Sequence, residues 1–308
     1  MKHEVAGSPM GGLRWTSKST EKIACELREI GIDVCANTVA KLLKTMNFSL
    51  RVNRKWLESP TKLTPKDRDE QFVYIGGRRD EFAAAGDPII SVDGKKKELV
   101  GNFKNNGKSW ETCPVKVNDH DFRSQADGLA VPYGIYDIHA NIGWVNVGSS
   151  HDTPGFAVDA IESWWLDDGT KRYPEARKLL ILADCGGSNG YRLRAWKWQL
   201  QQQLCNRLGL SVTVSHYPPG TSKYNPIEHR LFSEISKNWA GKPLTSFERI
   251  VKFIQATKTV TGLKVKARLN QKHYAKGQSI TDAQIDELNL TRHETFPQWN
   301  YTIHPHKM

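Results

Sequence analysis

The sequence predicts an α/β fold: a mixed sheet flanked by helices, preceded by a small helical module. Three observations carry this expectation. Short apolar runs between residues 88 and 147 are separated by short loops, which makes neighbouring strands antiparallel. From residue 154 onward helical and strand patterns alternate, as they do where parallel strands are joined by crossover helices. Ahead of both, residues 18–46 carry two short amphipathic helical patterns.

The first helical pattern spans 18–30, with Ile23, Leu27 and Ile30 on one stripe, Ser17 or Ser19 as cap and Gly31 as stop. The second spans 36–46, with Val39, Leu42, Leu43 and Met46 on one side and Asn47 as a left-handed stop. The join is short, so the pair reads as a helix-turn-helix whose second helix presents Asn37, Lys41 and Lys44 outward as DNA contacts. Phe48 to Val52 could begin a wing. The alternative is a plain αα-hairpin, but residues 1–66 hold twelve Lys/Arg against six Asp/Glu, which favours a polyanionic partner. Residues 51–64 read as a linker, which divides the chain into a 1–64 module and a 65–308 domain.

The larger domain begins with a helix over 65–84, Phe72, Ile75 and Phe82 inward and Gly86 at its end. Strands follow at 88–93, 98–103, 133–138 and 143–147. Then come helix 154–166, strand 179–184, helix 190–208, strand 210–215 and helix 226–239. A β-meander followed by β-α-β-α is the pattern of an RNase H-like sheet. Helical segments at 246–259 and 281–288, with Trp299 and Tyr301 beyond, are expected to pack back on this core.

The whole chain of 308 residues is 38% hydrophobic and 25% charged, which is ordinary globular composition. Lys+Arg 44 against Asp+Glu 33 gives a net charge of +11, and the pI is near 9.3. A basic excess of this size fits a nucleic-acid partner. No apolar run approaches the roughly 20 residues that span a bilayer, and there is no signal peptide, so no membrane partner and a cytoplasmic location are expected. The five cysteines form no C-x-x-C pair, which argues against a zinc knuckle or a disulfide framework.

Three carboxylates stand out by position. Asp93 closes the run Pro88 to Val92, Asp184 closes Leu179 to Ala183, and Glu228 follows the loop His216 to Asn225 onto the first turn of a helix. Each has a structural explanation. Asp93-Gly94 could be a hairpin turn, and Asp184 precedes a flexible Gly-rich turn. With Asn225 as N-cap and Pro226 first in the helix, Glu228 would complete a capping box. Their joint order suits phosphodiester chemistry, in which hard oxygen ligands from separate elements hold two Mg²⁺ (or Mn²⁺) ions about 3.5–4 Å apart. The gaps of 91 and 44 residues between successive acids fit ligands gathered from different elements.

The stretches Ser91 to Asn105, Ala183 to Gly190 and Pro218 to Phe232 resemble the Rhodopirellula-type DDE transposases of bacterial insertion sequences. The likeness runs from about residue 8 to the end, through Arg292-His293 and Trp299 to Ile303, and the Asn-Pro-Ile-Glu turn is similar to that of mariner-like transposases. The resemblance implies an RNase H-like catalytic domain that cuts DNA at element ends and joins it to a target. Asp93, Asp184 and Glu228 match the family's acidic positions. Gly94 stands where Thr is expected and Cys185 where Gly is expected. Members of the family look longer at the N-terminus, so an upstream DNA-binding portion is expected to be missing. Lys95, Lys96, Lys97 and Lys104, with Arg192, Arg194 and Lys197, are expected contacts to the DNA backbone. Asn225 and His229 would support the glutamate. Synapsis of two ends makes a homodimer an open expectation, and DNA binding would bring the chain to the nucleoid. Two rivals remain: a non-catalytic, repurposed copy that only binds DNA, and an RNase H-like nuclease that cuts without joining.

Overall fold

The computed structural model describes residues 6–7, 14–15, 18–50 and 63–306. The chain divides into two compact units, Met1–Pro60 and Thr61–Met308.

The first unit holds the short antiparallel pair β1 (Ala6–Gly7) and β2 (Arg14–Trp15), then α1 (Thr20–Glu29) and α2 (Ala36–Thr45). Ser19 caps α1 by accepting a hydrogen bond from the Lys22 amide, and Asn47 takes the left-handed conformation (φ 63°) expected of a stop. The core is small: Ile23, Ala24 and Val39 are buried, with Leu27, Val34 and Leu43 packed on them. Ile30, Leu42 and Met46, expected on the inner stripes, are instead exposed. Ile30 has slipped past the last helical turn to the C-cap, and two ten-residue helices bury only a narrow seam. Asn37, Lys41 and Lys44 are solvent-exposed. The wing residues Arg51 and Val52 and most of the 51–64 linker lie outside the described residues.

The second unit opens with α3 (Pro65–Ala85), which starts at a Thr64–Asp67 capping box and ends at Gly86 (φ 73°). It buries Ile75 and Phe82. Strands β3 (Ile89–Gly94), β4 (Glu98–Val100), β5 (Gly128–Asp137) and β6 (Ile142–Gly148) form the meander. After it come α4 (Pro154–Trp164), a single turn α5 (Thr170–Arg172), β7 (Lys178–Ala183), α6 (Arg194–Gln199) and β8 (Ser211–His216). The remainder is α7 (Ser233–Asn238), α8 (Phe247–Gln255), β9 (Lys264–Asn270), α9 (Asp282–Asp286), β10 (Leu290–Arg292) and β11 (Asn300–Ile303).

The sheet runs β10-β11-β8-β7-β3-β5-β6-β9, with β4 added on β5. β3, β7 and β8 are parallel, whereas β5 is antiparallel to both β3 and β6. The inner order β6-β5-β3-β7-β8, with its second strand reversed, is an RNase H-like sheet. Side-chain alternation along β7 divides the core: Leu179, Ile181 and Ala183 join the cluster of Phe156, Trp164 and Trp196, while Leu180 and Leu182 join Ile75, Phe82 and Ile89. No helix among the described residues is long and apolar enough to cross a membrane.

The C-terminal segment contributes three strands that the sequence reading did not anticipate. β9 alternates Val265, Ala267 and Leu269 with Lys264, Lys266 and Arg268, so its apolar signal is diluted by the basic residues between. β10 and β11 are only three and four residues long and gain their identity from pairing, β11 along β8 and β10 along β11.

Candidate active site

Sheet register places the first two acids. Val92 on β3 pairs with Ala183 on the parallel β7, so Asp93 and Asp184 are the next neighbours along the two strands, at their carboxyl ends. Adjacent strands lie about 4.8 Å apart, and the C-terminal edge of parallel strands is where α/β sheets build sites.

Glu228 arrives differently. It opens a π-helical turn, Glu228–Phe232, that continues into α7. That turn lies flat on the sheet because β5 and β6 carry glycines beneath it. A Cβ on Gly134, which pairs with Asp93, would sit 2.5 Å from the Phe232 ring and 2.9 Å from Ile227. One on Gly143 would sit 2.3 Å from Leu231.

A buried tether fixes the segment's start. The Asn225 side chain is fully buried. Its amide donates to Asp184 Oδ1 (3.0 Å) and reaches the Val92 carbonyl (3.4 Å). Its oxygen accepts from the Ser91 hydroxyl, which itself accepts from the Ile227 amide at 3.0 Å. Asn225 therefore ties helix, β3 and Asp184 together rather than capping its own helix. His229 is exposed, and its Nε2 faces the Lys223 carbonyl.

Charge is the dominant feature. Burial pushes Asp93 up to about 8, and the charge of Asp184 adds to it, with lesser contributions from Glu228 and Asp152. The Gly94 amide opposes the shift by donating to Asp93 Oδ1 at 2.7 Å. Burial likewise raises Asp184 to about 6, against the Asn225 hydrogen bond and with Glu228. These are mutually repelling carboxylates in a poorly solvated place.

Asp152 is a fourth acid that the sequence reading missed. Its Oδ1 is buried with no hydrogen-bond partner, and its Oδ2 lies 3.6 Å from Lys97 Nζ. A Cβ on Gly94 would come to 3.7 Å from that Oδ2, so the glycine leaves space beside this carboxylate. The available signal was the same one used for Asp93 and Asp184: an apolar strand, here Ile142–Gly148, followed closely by an aspartate.

The lysine run divides. Lys95 is only 8% exposed, paired with Glu98 at 3.5 Å and stacked 4.7 Å above the Trp239 ring. Burial lowers its pKa. Lys96 and Lys97 stay outside, and with Lys104 they line a depression of about 240 Å³. In the segment after Asp184, Arg192 and Arg194 are exposed while Lys197 is half-buried. Cys185 donates to the Tyr217 carbonyl at 3.0 Å, and burial holds its thiol neutral, up to about 12.

The acids offer the hard oxygen donors that a divalent cation prefers, and a cation would relieve their repulsion. Among the described residues, no three of them surround a common point.

The family described as Rhodopirellula transposase DDE domain matches residues 1–305. Among solved structures, the Mos1 transposase paired-end complex with left transposon end is 14% identical and covers 77% of this chain and 66% of its own, with a TM-score of 0.42. The Mos1 Strand Transfer Complex is 16% identical over 77% and 65%, at 0.43, and the mariner Mos1 paired end complex with Mg is 14% identical over 77% and 66%, also at 0.43. The chain thus spans just under two thirds of those proteins. No curated protein matches.

Proposed function

The chain belongs to the Rhodopirellula DDE transposase family, and from that premise we propose that it cuts DNA at the ends of a transposable element and joins the freed 3′-hydroxyl to target DNA. One observation carries the reading: two strand-end aspartates in register, with Asn225 bonded to one of them and leading directly into Glu228. Asp93, Asp184 and Glu228 would hold Mg²⁺ or Mn²⁺, two ions in all, once their side chains close on them. Bound there, the ions would supply the positive charge that activates the attacking oxygen and steadies the leaving one.

The residues themselves do three things. Gly94 and Asn225 orient the two aspartates by donating to one oxygen of each. Lys96, Lys97 and Lys104 offer an exposed cationic rim for phosphates, as do the exposed Arg192 and Arg194, which positions DNA without reading its bases. Asn37, Lys41 and Lys44, exposed together on α2, suit a helix-turn-helix contact to duplex. Two ends brought together call for two copies of the chain, acting on nucleoid DNA in the cytoplasm.

The test is a duplex carrying the element's own terminal sequence. Wild-type protein should nick it only with a divalent cation and then join the product to a second duplex. Asp184→Ala should lose nicking while retaining duplex affinity. Cleavage by that variant at the wild-type rate overturns the site. Nicking without joining would mark a nuclease instead.

A further inference from the structure

A second cavity has a lining that is half cationic and half aliphatic. Its volume is about 420 Å³. Arg192, Arg194, Lys197 and Arg292 supply the cations, and Ile285, Leu288 and Leu290 the apolar wall.

Most of these cations lack a countercharge. Arg194 pairs with Asp282 and also reaches the Ile280 carbonyl. The other three are held by neutral groups, and among the described residues no carboxylate forms an ion pair with them. Tyr191 organises two: its hydroxyl accepts from Arg192 Nε at 2.8 Å, and its carbonyl accepts from Lys197 Nζ at 2.6 Å. Arg292 donates to the Pro297 carbonyl at 3.1 Å. Burial, and secondarily the charge of Arg292, lowers Lys197 to about 8.

The cavity is also wired to Asp184. Lys197 Nζ lies 5.4 Å from the centre of the Tyr301 ring. The Tyr301 hydroxyl receives a hydrogen bond from Trp196 Nε1 at 3.0 Å and meets His216 Nε2 at 3.2 Å. His216 is fully buried and pushed down to about 4, hence neutral, so its Nδ1 donates to the Asp184 carbonyl (2.9 Å) and its Nε2 accepts from Tyr301. One cation–π contact and two hydrogen bonds therefore link Lys197 in the cavity lining to the backbone of an acid.

We propose that this cavity seats one nucleotide of an unpaired DNA strand, its phosphate among Arg192, Lys197 and Arg292 and its base or sugar against Ile285, Leu288 and Leu290. The assignment rests on the DNA reading above. An anion is required by the charge, and an apolar face by the wall. A duplex presents an outer rail of phosphates with its bases stacked inward, leaving the aliphatic wall uncovered. An unpaired nucleotide offers both; in single-strand grooves cations track the backbone while aromatic side chains stack on the bases, and here an aliphatic wall takes the place of the aromatics. The volume falls in the range of small-ligand pockets, about 300–1,000 Å³.

The experiment is an anisotropy titration of the full chain with labelled oligothymidine and with blunt duplex, in EDTA so that cleavage plays no part. Arg292→Gln and Arg192→Gln should each weaken oligothymidine binding about five- to tenfold at low salt and reduce its salt slope by about 0.7. In Arg292→Gln, which is not among the rim residues assigned to duplex phosphates, duplex affinity should change by less than about twofold, and Arg292→Lys should restore most of the oligothymidine loss. Oligothymidine binding indifferent to both substitutions, or an equal loss on duplex in Arg292→Gln, overturns this proposal alone. Wild-type protein that binds neither DNA overturns it together with the DNA reading.

Discussion

Asp93 and Asp184 are delivered by the sheet, whereas Glu228 is delivered by packing. The two aspartates sit one residue beyond a parallel register pair, so ladder hydrogen bonds on both strands fix where their backbones go. Glu228 has no ladder. Its position depends on a buried Ser91–Asn225–Asp184 tether and on two glycine notches in the sheet. Strand-borne acids should therefore tolerate change around them, and the helix-borne acid should not.

The sharpest way to break that contrast is Asn225→Leu. The substitution keeps the branched heavy-atom shape, with somewhat greater bulk, but leaves the Ser91 hydroxyl proton without its acceptor and Asp184 Oδ1 without its donor. Each unsatisfied buried group costs about 1–3 kcal/mol, so a loss of about 3–4 kcal/mol in denaturant unfolding is expected. Nicking should fall with it, even at temperatures where the variant is folded. A change below about 1 kcal/mol would mean the tether does not hold the segment.

Gly134→Val comes next. Its first carbon alone would overlap Phe232 and Ile227, and the branch adds more. Overpacking of this kind costs about 1–3 kcal/mol, and the π-helical turn that starts at Glu228 is what must move. Thermal denaturation gives the stability. Duplex nicking should drop more than the stability does, because the displaced element carries an acid. Wild-type nicking by a folded Gly134→Val would show that Glu228 needs no such seat.

How much of this was legible follows the same division. Asp93 and Asp184 were readable because an apolar run ending in an acid is a local pattern, and the helix starts expected at 65 and 154 coincide with Pro65 and Pro154, each preceded by a threonine that caps its helix. Asn225 looked like a helix cap because its contacts with Ser91 span 134 residues, which no local pattern encodes. Gly134 and Gly143 look like weak points in strands until the helix above them is known. The lysine run misled for a related reason. Successive side chains of extended chain point to opposite sides, so Lys95 turns in against Trp239 while Lys96 is 79% exposed.

The smallest effect separates the two kinds of acid by titration. In metal-free protein Asp93 is raised to about 8, mainly by burial and then by Asp184, against about 3.9 in the unfolded chain. A raised folded value means the protonated form belongs to the fold. The associated stability is fully present below about pH 4 and is lost as pH climbs through about 8. Asp93→Asn removes that loss, so the variant should match wild type near pH 4 and exceed it by up to a few kcal/mol near pH 8. Added Mg²⁺ should narrow the gap at pH 8 by binding the folded carboxylates. Glu228→Gln should leave most of the wild-type pH slope in place, since its charge ranks below burial and Asp184 among the causes of the Asp93 shift. A slope that vanishes in Glu228→Gln would reverse the comparison, making the helix-borne acid, and not the strand pair, the source of the strain at this end of the sheet.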